Sequence, residues 1–420
     1  MRALQHLAQF LFVFIVTSCS SDSPKAPVAN DVPVRPPDMS AVSTNDAGSA
    51  DKQSADGGVA RVPEVGGPQP SPDVLADVVQ YDSESKDSFE PDASQLVDGG
   101  QMEDTASVEP VVTFAAFGDS GKGNEGQKEV ADAVVAKCVK DGCDFIMLLG
   151  DNIYNSGVES VNDPQWQEKF EIPYKDLNVV FKPALGNHDN GGLTLGIGGP
   201  PIDLAGEDGG TGMEFWRGDI QIAYSDVSPK WDMPARFYDY TMGSAHFFAL
   251  DTNSMMFDQH AEQADEMVGL ITKSTATWKI AYGHHNYISN GKHGNAGNYD
   301  LPDWLNWVPG ILGDLGEIIS GKGVKAGIET IVCDTDVDLY IAGHDHNRQW
   351  FATGQEGCSG PEFIVSGASA TKTKFKGDQT NLFEDDKKLG FLWVRIQGSK
   401  LRAEFVDTNG NVDFVRELEK

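Results

Sequence analysis

Residues 145–154 read Phe-Ile-Met-Leu-Leu-Gly-Asp-Asn-Ile-Tyr. Five consecutive apolar residues are typical of a strand that is buried on both faces of a sheet. The glycine that follows lets the chain turn sharply, and the next residue places a carboxylate just beyond the strand. The same order recurs along the chain, so this stretch predicts the architecture of the whole folded part.

Short apolar runs alternate with helical or loop segments from Val111 onward, which predicts an α/β fold. The predicted strands are Val111–Phe117, Phe145–Leu149, Val179–Leu185, His246–Leu250, Trp278–Tyr282, Val337–Ala342 and Glu362–Val365. Helical spacing predicts helices over Gln127–Lys140, with Gly142 as C-cap, and over Lys325–Cys333. The tail is predicted as a hairpin of Phe391–Gln397 and Leu401–Val406, with a further strand over Val412–Val415.

Five of these strands end in a glycine that is followed by potential metal ligands. The clusters are Gly118-Asp119, Gly150-Asp151-Asn152-Ile153-Tyr154, Gly186-Asn187-His188-Asp189, Gly283-His284-His285 and Gly343-His344-Asp345-His346. Ligands of α/β sheets bind outside the carboxyl ends of the strands, so five clusters at five such ends can converge on one site. Alternate residues of an extended segment face the same way, which lets His344 and His346 address one centre.

The chain has 420 residues, but composition assigns only part of them to a folded domain. Residues 20–108 are rich in Asp, Ser, Pro, Ala and Gly and show no apolar period, which predicts a disordered acidic linker. Residues 1–19 have the features of an export signal, because an apolar run too short to span a bilayer ends at Val16-Thr17-Ser18-Cys19. Residues 109–420 remain, a length that suits a single large α/β domain.

The segment that ends at Cys19 resembles a bacterial lipobox, in which the cysteine thiol receives a lipid. The alternative is an ordinary signal peptide with an incidental cysteine. The lipobox interpretation predicts an exported protein, anchored through Cys19 to the bacterial outer membrane on its periplasmic or cell-surface side. Ser20 favours the outer membrane, because an aspartate there would indicate inner-membrane retention.

Four cysteines remain in the domain, which for an exported protein predicts two disulfides. Pairing of Cys138 with Cys143 and of Cys333 with Cys358 is the simplest of three connectivities, and buried free thiols are the alternative. The formal net charge is −32, which disfavours nucleic acid and anionic membranes as partners. An anionic substrate would therefore need a local positive centre, which bound metal ions can supply.

The ordered clusters resemble the motifs of the calcineurin-like metallophosphoesterases. Tyr154 narrows the resemblance, because a tyrosine three residues after the second aspartate is the mark of the purple acid phosphatases. The segments Gln221–Pro234, Phe237-Tyr238 and Phe248–Thr252 are similar to the small, tartrate-resistant type. The resemblance covers residues 111–420 and implies a layered β-sheet sandwich flanked by helices.

The resemblance also implies a dinuclear metal centre of Fe(III) and a divalent ion (Fe, Zn or Mn). Asp119, Asp151, Tyr154 and His346 correspond to ligands of the ferric ion. Asp151, Asn187, His284 and His344 correspond to those of the divalent ion, with Asp151 bridging the two. Carboxylate and phenolate suit a hard trivalent ion, and imidazoles suit the softer divalent ion.

The activity implied is that of an acid phosphatase, which hydrolyses phosphate monoesters by attack of a metal-bound hydroxide on phosphorus. His188 is the candidate acid that protonates the leaving group, and Asp189 is expected to orient it. His293 lies where the family has a second substrate-contacting histidine, but a solvated turn is an equal alternative.

Other features depart from the family or stand outside its motifs. His285 stands where small members of the family often have an aromatic residue. It either supports a neighbouring metal ligand or only fills space by packing. His246 and His260 are predicted to be structural. The insertions 190–217 and 295–323, the second with Trp304 and Trp307, are either plain surface loops or a rim that shapes the substrate pocket.

Three rival functions remain. A phosphodiesterase or nucleotide pyrophosphatase would use the same metal centre, and an assay of a monoester against a diester separates it from a phosphatase. A non-catalytic surface lipoprotein would be expected to lack one of the metal ligands or the acid. Here every ligand position of the motifs is filled, and the candidate acid His188 is present. A cyclic-nucleotide enzyme of the same superfamily is disfavoured by Tyr154.

Overall fold

The computed structural model describes residues 109–192, 194–195, 202–203, 210–299 and 320–420. The predicted signal segment, the predicted linker, and Trp304 and Trp307 lie outside these residues. Within the described ranges, no helix is both long enough and apolar enough to cross a membrane.

Two mixed β-sheets form the centre of the domain. The strands are β1 Val111–Phe117, β2 Phe145–Leu149, β3 Val180–Ala184, β4 Thr194–Leu195, β5 Ile202–Asp203, β6 Tyr238–Met242, β7 Ala245–Ala249, β8 Trp278–Tyr282, β9 Leu339–Ala342, β10 Arg348–Phe351, β11 Glu362–Ser366, β12 Phe383–Asp385, β13 Gly390–Gln397, β14 Lys400–Asp407 and β15 Val412–Glu419. The first sheet has the order β15-β14-β13-β1-β2-β3, and the second has the order β12-β10-β11-β9-β8-β7-β6. Strands β4 and β5 pair with each other.

The parallel strands of each sheet carry the sequence clusters. Strands β1, β2 and β3 are parallel neighbours in the first sheet, and β7, β8, β9 and β11 are parallel neighbours in the second. Antiparallel strands complete both sheets, including the predicted C-terminal hairpin of β13 and β14. This topology brings the carboxyl ends of the parallel strands of both sheets to one side of the domain.

The two sheets pack face to face through an aromatic core. The Phe247 ring of β7 lies edge-on to Phe114 of β1 and Phe145 of β2, with ring centroids 5.5 and 5.2 Å apart. All three side chains are fully buried or nearly so. Burying an aromatic side chain of this size contributes about 1.5–3 kcal/mol. The predicted layered sandwich is therefore confirmed.

Helices cover the outer faces of the sheets. They are α1 Glu125–Asp141, α2 Phe215–Ala223, α3 Thr252–Met256, α4 Ala261–Lys273 and α5 Lys322–Ile328, the last continued by a π-helical turn over Glu329–Cys333. Helix α1 begins where the Asn124 side chain accepts a hydrogen bond from the Gln127 amide. It ends at Gly142, whose N–H donates to the Cys138 carbonyl and whose positive φ of 89° turns the chain out of the helix.

Both predicted disulfides are present. Cys138 pairs with Cys143 at the end of α1, and Cys333 pairs with Cys358 between the π-helical turn and the loop after β10. The predicted strands agree with the structure to within two residues, except that β15 runs on to Glu419. Strands β6 and β12 and helix α2 were not predicted, because exposed residues interrupt their apolar runs. Strand β10 is fully buried, but it was not predicted because Arg348 and Gln349 are polar.

Candidate metal centre and active site

The five sequence clusters meet at one edge of the sandwich. Asp119, Asp151 and Asn187 follow β1, β2 and β3 of the first sheet, and His284 and His344 follow β8 and β9 of the second. One ligand atom each from Asp119, Asp151 and His284 lies within 4.8 Å of the others, and all three residues are buried. The site is therefore built from both sheets.

Three of these residues have an unusual backbone conformation. The φ angles of Asp119, Asp151 and His344 are +59°, +53° and +68°, in the left-handed region. Such a residue costs about 1–3 kcal/mol and persists only where its surroundings hold it. Here the Asp119 N–H donates to the Gly150 carbonyl, 3.0 Å away, and an Asp119 carboxylate oxygen accepts from the His344 N–H at 2.9 Å.

Two glycines allow the ligand loops to approach closely. A Cβ atom on Gly186 would lie 2.1 Å from the Asp151 carboxylate, so a side chain there would displace that carboxylate. Gly150 has a φ of +82°, and a Cβ on it would lie 2.7 Å from the Nδ1 atom of His284. These contacts explain the glycine that precedes the aspartate or asparagine in the motifs.

One half of the site is formed around His284. Its Nδ1 atom donates to the Leu149 carbonyl oxygen at 2.9 Å, so the neutral ring carries a lone pair on Nε2. That lone pair faces the Oδ1 atom of Asn187 at 3.0 Å, the Nδ1 atom of His344 at 3.1 Å and an Asp151 oxygen at 3.4 Å. The amide of Asn187 is oriented by its Nδ2 atom, which donates to the Gly210 carbonyl. Electron-pair donors thus face one another, as in a cation site.

The other half of the site contains Tyr154. Its hydroxyl lies 3.0 Å from the Oδ1 atom of Asp119 and 3.1 Å from the Nε2 atom of His346. His346 Nε2 is in turn 3.3 Å from Asp119 Oδ1, and His346 Nδ1 is 2.7 Å from the Thr371 hydroxyl. Carboxylate, phenol and imidazole groups therefore converge, and Thr371 fixes the orientation of the imidazole ring.

The electrostatics of the site favour bound cations. Burial lowers the pKa of His284, but the carboxylates of Asp151 and Asp119 outweigh it, and the net pKa is raised. Burial and the same two carboxylates raise the pKa of the Tyr154 hydroxyl well above its ordinary value. A buried group of two carboxylates that faces lone pairs attracts positive charge, so these donors fit metal ions.

His188 lies beside both halves. Its Nδ1 atom donates to the backbone carbonyl of Asn155, and its Nε2 atom lies 3.9 Å from an Asp151 oxygen. Its ring centroid is 4.2 Å from that of Tyr154. Burial lowers the pKa of His188, although Asp151 opposes the shift. The partly exposed imidazole can therefore present Nε2 to a substrate.

Asp189 does not have the expected contact with His188. It is fully buried, and its carboxylate accepts hydrogen bonds from the N–H groups of Gly186, Asn152 and Ile153 and from the Gln221 amide. These contacts join the loops after β2 and β3. The His188 ring is oriented by the Asn155 carbonyl instead, so Asp189 is a positioning residue for the ligand loops.

His293 lies within the site, its ring centroid 4.2 Å from that of His344. Its N–H donates to Asp345, whose carboxylate also accepts from the Ser289 hydroxyl and the Asn286 amide. Asp345 is fully buried between the two histidines of its motif. Asp345 thereby fixes the loop that carries His293. This role was not predicted, although Asp345 stands between His344 and His346 in the sequence.

His285 is held by Thr252. The Thr252 hydroxyl oxygen accepts from the N–H groups of His284 and His285 and lies 2.9 Å from His285 Nδ1. With both lone pairs used, the hydroxyl proton points to Nδ1. The His285 ring packs 4.6 Å from that of His344, so this histidine supports a candidate ligand. Thr252 follows the end of β7, the same strand-end position as the ligand motifs.

The described ends of both insertions contact the site. A Cβ atom on Gly210 would lie 2.6 Å from the His188 ring. The Tyr299 ring centroid lies 5.6 Å from that of His344, and its hydroxyl donates to the Asn286 carbonyl. These contacts favour the rim interpretation over plain surface loops.

His246 and His260 lie outside the site. His246 pairs with Asp239 and Ser274, and His260 precedes α4 next to Asp258.

Comparison with known proteins agrees with this site. The family model for calcineurin-like phosphoesterases matches residues 112–348, and the chain belongs to this family. It is 26% identical to purple acid phosphatase 7 of Arabidopsis thaliana, over 72% of this chain and 84% of that protein. It is 25% identical to tartrate-resistant acid phosphatase type 5 of Homo sapiens, over 74% of this chain and 91% of that protein.

Two solved structures share the fold. One is GAP50, the anchor in the inner membrane complex of Plasmodium, with a TM-score of 0.53 and 20% identity over 74% of this chain and 89% of that one. The other is purple acid phosphatase PPD1 from yellow lupin seeds, with a TM-score of 0.52 and 17% identity over 74% of this chain and 54% of that one. Family and donor cluster together indicate a dinuclear metal site in a hydrolase of phosphoesters.

Proposed function

We propose that the protein is an acid phosphatase of the purple acid phosphatase type, which hydrolyses phosphate monoesters. The observation that carries the proposal is the position of Tyr154, whose hydroxyl lies beside Asp119 and His346, three residues beyond Asp151. A phenolate is a donor that suits ferric iron better than a divalent ion.

Two metal ions would be held by the residues named above. Asp119, Asp151, Tyr154 and His346 would hold Fe(III), and Asp151, Asn187, His284 and His344 would hold a divalent Fe, Zn or Mn ion. When bound, the ions supply Lewis acidity and a nucleophile at neutral or acidic pH.

The other residues of the site then act on the substrate. His188 Nε2 gives a proton to the leaving oxygen, because the Asn155 carbonyl holds Nδ1–H and turns Nε2 toward the site. His293 lies at the His344 edge and can donate to a phosphoryl oxygen. Asp345 and Asp189 hold the loops that carry these groups.

The proposal is tested on the purified full chain by metal analysis and by kcat/KM for phenyl phosphate against diphenyl phosphate. We expect iron plus one divalent ion per chain, and a preference for the monoester. A preference for the diester, or a centre that takes up no iron when iron is supplied, would contradict the assignment.

We also propose that the protein is exported and is anchored to the outer membrane by a lipid on Cys19. The motif Val16-Thr17-Ser18-Cys19 and the acidic segment behind it support this proposal. The two disulfides also support export, because disulfides persist in oxidising compartments.

A further inference from the structure

Two polar side chains reach from the segment between β2 and β3 to the loop that carries Tyr154. Lys169 lies in a π-helical turn, Gln167–Glu171, and Gln165 lies two residues before that turn. The Nζ atom of Lys169 donates to the backbone carbonyl oxygen of Tyr154 and also to the Oε1 atom of Gln165, which is 2.7 Å away. The Nε2 atom of Gln165 donates to the carbonyl oxygen of Gly157 at 3.0 Å. Together the two side chains form a carbonyl clamp.

The lysine of the carbonyl clamp is turned inward. Lys169 is half-buried, whereas most lysine side chains lie in solvent. Its own carbonyl oxygen accepts from the Nε2 atom of Gln127 at 2.6 Å, and the Oε1 atom of Gln127 accepts from the Gly123 N–H at 2.7 Å. Because Gln127 belongs to α1, the clamp is fixed to that helix as well as to its own turn.

The carbonyl clamp holds the backbone on both sides of Asn155. It contacts the carbonyl of Tyr154, which precedes Asn155, and that of Gly157, two residues beyond. The Gly157 N–H closes the turn by donating to the Ile153 carbonyl at 3.0 Å. The Asn155 residue itself is exposed, so the neighbouring backbone contacts hold its carbonyl in place. That carbonyl is the acceptor for the Nδ1 atom of His188.

We propose that Lys169 and Gln165 are positioning residues, which set the direction of the His188 ring through the Asn155 carbonyl. A misplacement of about 1 Å in a reacting group can cost about 100-fold in rate, so the carbonyl that orients the acid must itself be held. The clamp would therefore govern how well His188 protonates the leaving oxygen, with little effect on binding of the phosphoryl group. This inference rests on the proposed function, because it takes His188 as the acid.

The kinetic test separates protonation of the leaving group from substrate binding, and it uses the metal-loaded full chain. In Lys169→Met we expect kcat for phenyl phosphate to fall about 10- to 100-fold, while KM changes by less than about threefold. The leaving group of 4-nitrophenyl phosphate needs little protonation, so kcat for that substrate should fall by less than about threefold.

Three further variants separate the contacts of the clamp from the loss of a charge. Lys169→Arg keeps a cationic donor for both oxygen atoms and should bring kcat for phenyl phosphate to within about threefold of the wild type. Gln165→Leu changes no charge but leaves the Gly157 carbonyl without this donor, so it should lower the same kcat about 3- to 10-fold. Lys175→Met is the matched control and should leave kcat unchanged, because it removes the same charge from an exposed position six residues beyond Lys169.

A second measurement is independent of turnover. Long-range proton–nitrogen NMR spectra of the full chain, labelled with ¹⁵N-histidine, report which ring nitrogen of a neutral histidine carries the proton. Zinc is supplied as a diamagnetic metal, and the spectra are recorded at alkaline pH, where the imidazole is neutral. The signal of His188 is assigned by its loss in His188→Ala. We expect the Nδ1–H tautomer in the wild type and a mixture of both tautomers in Lys169→Met.

The outcomes separate this inference from the proposed function. Equal falls in kcat for the two esters, or an unchanged tautomer of His188 in Lys169→Met, would overturn the inference. Loss of the visible band of iron-loaded Lys169→Met would overturn it as well, because the clamp would then position Tyr154. If Lys169→Met does not fold, Gln165→Leu carries the same comparisons. If the wild type hydrolyses neither ester, the proposed function fails, and the tautomer comparison alone decides whether the clamp orients His188.

Discussion

The Nδ1 atom of His188 donates a hydrogen bond to the backbone carbonyl oxygen of Asn155, 2.6 Å away. The contact fixes which ring nitrogen is turned toward the candidate metal ligands. It leaves Nε2 as the atom that carries or loses the exchangeable proton. A backbone carbonyl therefore performs the orienting role for which a carboxylate was expected.

His188→Ala should slow monoester hydrolysis by about 10²- to 10⁴-fold, because it removes the acid for the leaving oxygen. Both metals should stay bound, since His188 contacts Asp151 without belonging to the donor cluster. The loss should shrink for 4-nitrophenyl phosphate, whose leaving group needs little protonation. Steady-state kinetics and metal analysis check this, with His260→Ala as the control. Loss of metal from His188→Ala would show that the residue is a ligand.

Tyr154→Phe should abolish the visible charge-transfer band of the iron-loaded protein. The hydroxyl has a raised pKa without metal, so a ferric ion must displace its proton to form the coloured phenolate. Activity should fall less than in Asp151→Ala, because Tyr154 supplies neither nucleophile nor proton. The measurement is a visible spectrum of each variant, and Tyr240→Phe in β6 should keep the band. A colourless wild type with ferric iron bound would refute the ligand assignment.

Asp189→Ala should lower the free energy of unfolding by about 1–3 kcal/mol, because it leaves buried donors on two loops without their acceptor. Urea denaturation of the metal-free protein measures this. Asp265→Ala, at an exposed position of α4, should change it by less than about 0.5 kcal/mol. Unchanged stability with a shifted pH–rate profile would instead assign Asp189 to His188.

Asp407 should contribute to acid sensitivity. Burial raises the pKa of this carboxyl, but hydrogen bonds from Asn411, Lys388 and Asn409 prevail and lower it to about 2. The folded pKa lies below the unfolded value of about 3.9, so the stabilisation is complete above that value and is lost as pH falls toward 2. As pH is lowered from 5 to 3, the urea concentration at half-unfolding should therefore fall less steeply in Asp407→Asn than in the wild type. An identical slope in this variant and the wild type would argue against the contribution.

Cys19→Ser should release the domain from membranes or leave it unprocessed, if Cys19 is the lipidated residue. Fractionation of cells and the mass of the N-terminal peptide check this, and Ser20→Ala should behave as the wild type. The same cleavage and the same membrane retention in Cys19→Ser would contradict a lipid anchor.

The strands, and the meeting of the polar clusters at their ends, could be predicted from sequence because both follow local patterns. An apolar run that ends in Gly-Asp or Gly-His indicates a buried strand with a candidate ligand at its end, as for β2 and Asp151. The roles of Asn155 and Thr252 could not be predicted. A backbone carbonyl has no sequence signature, and Thr252 meets His285 across 33 residues of chain. The contacts of Asp189 could not be predicted either, because three of its hydrogen-bond donors are backbone N–H groups.

The left-handed backbone at Asp119, Asp151 and His344 has a consequence for how such proteins change over time. Glycine adopts that conformation without the penalty that other residues incur. A substitution to glycine at any of these positions would relieve strain while removing a donor. Selection for stability alone would thus tend to erase the site, and only selection for its chemistry would keep these side chains in place.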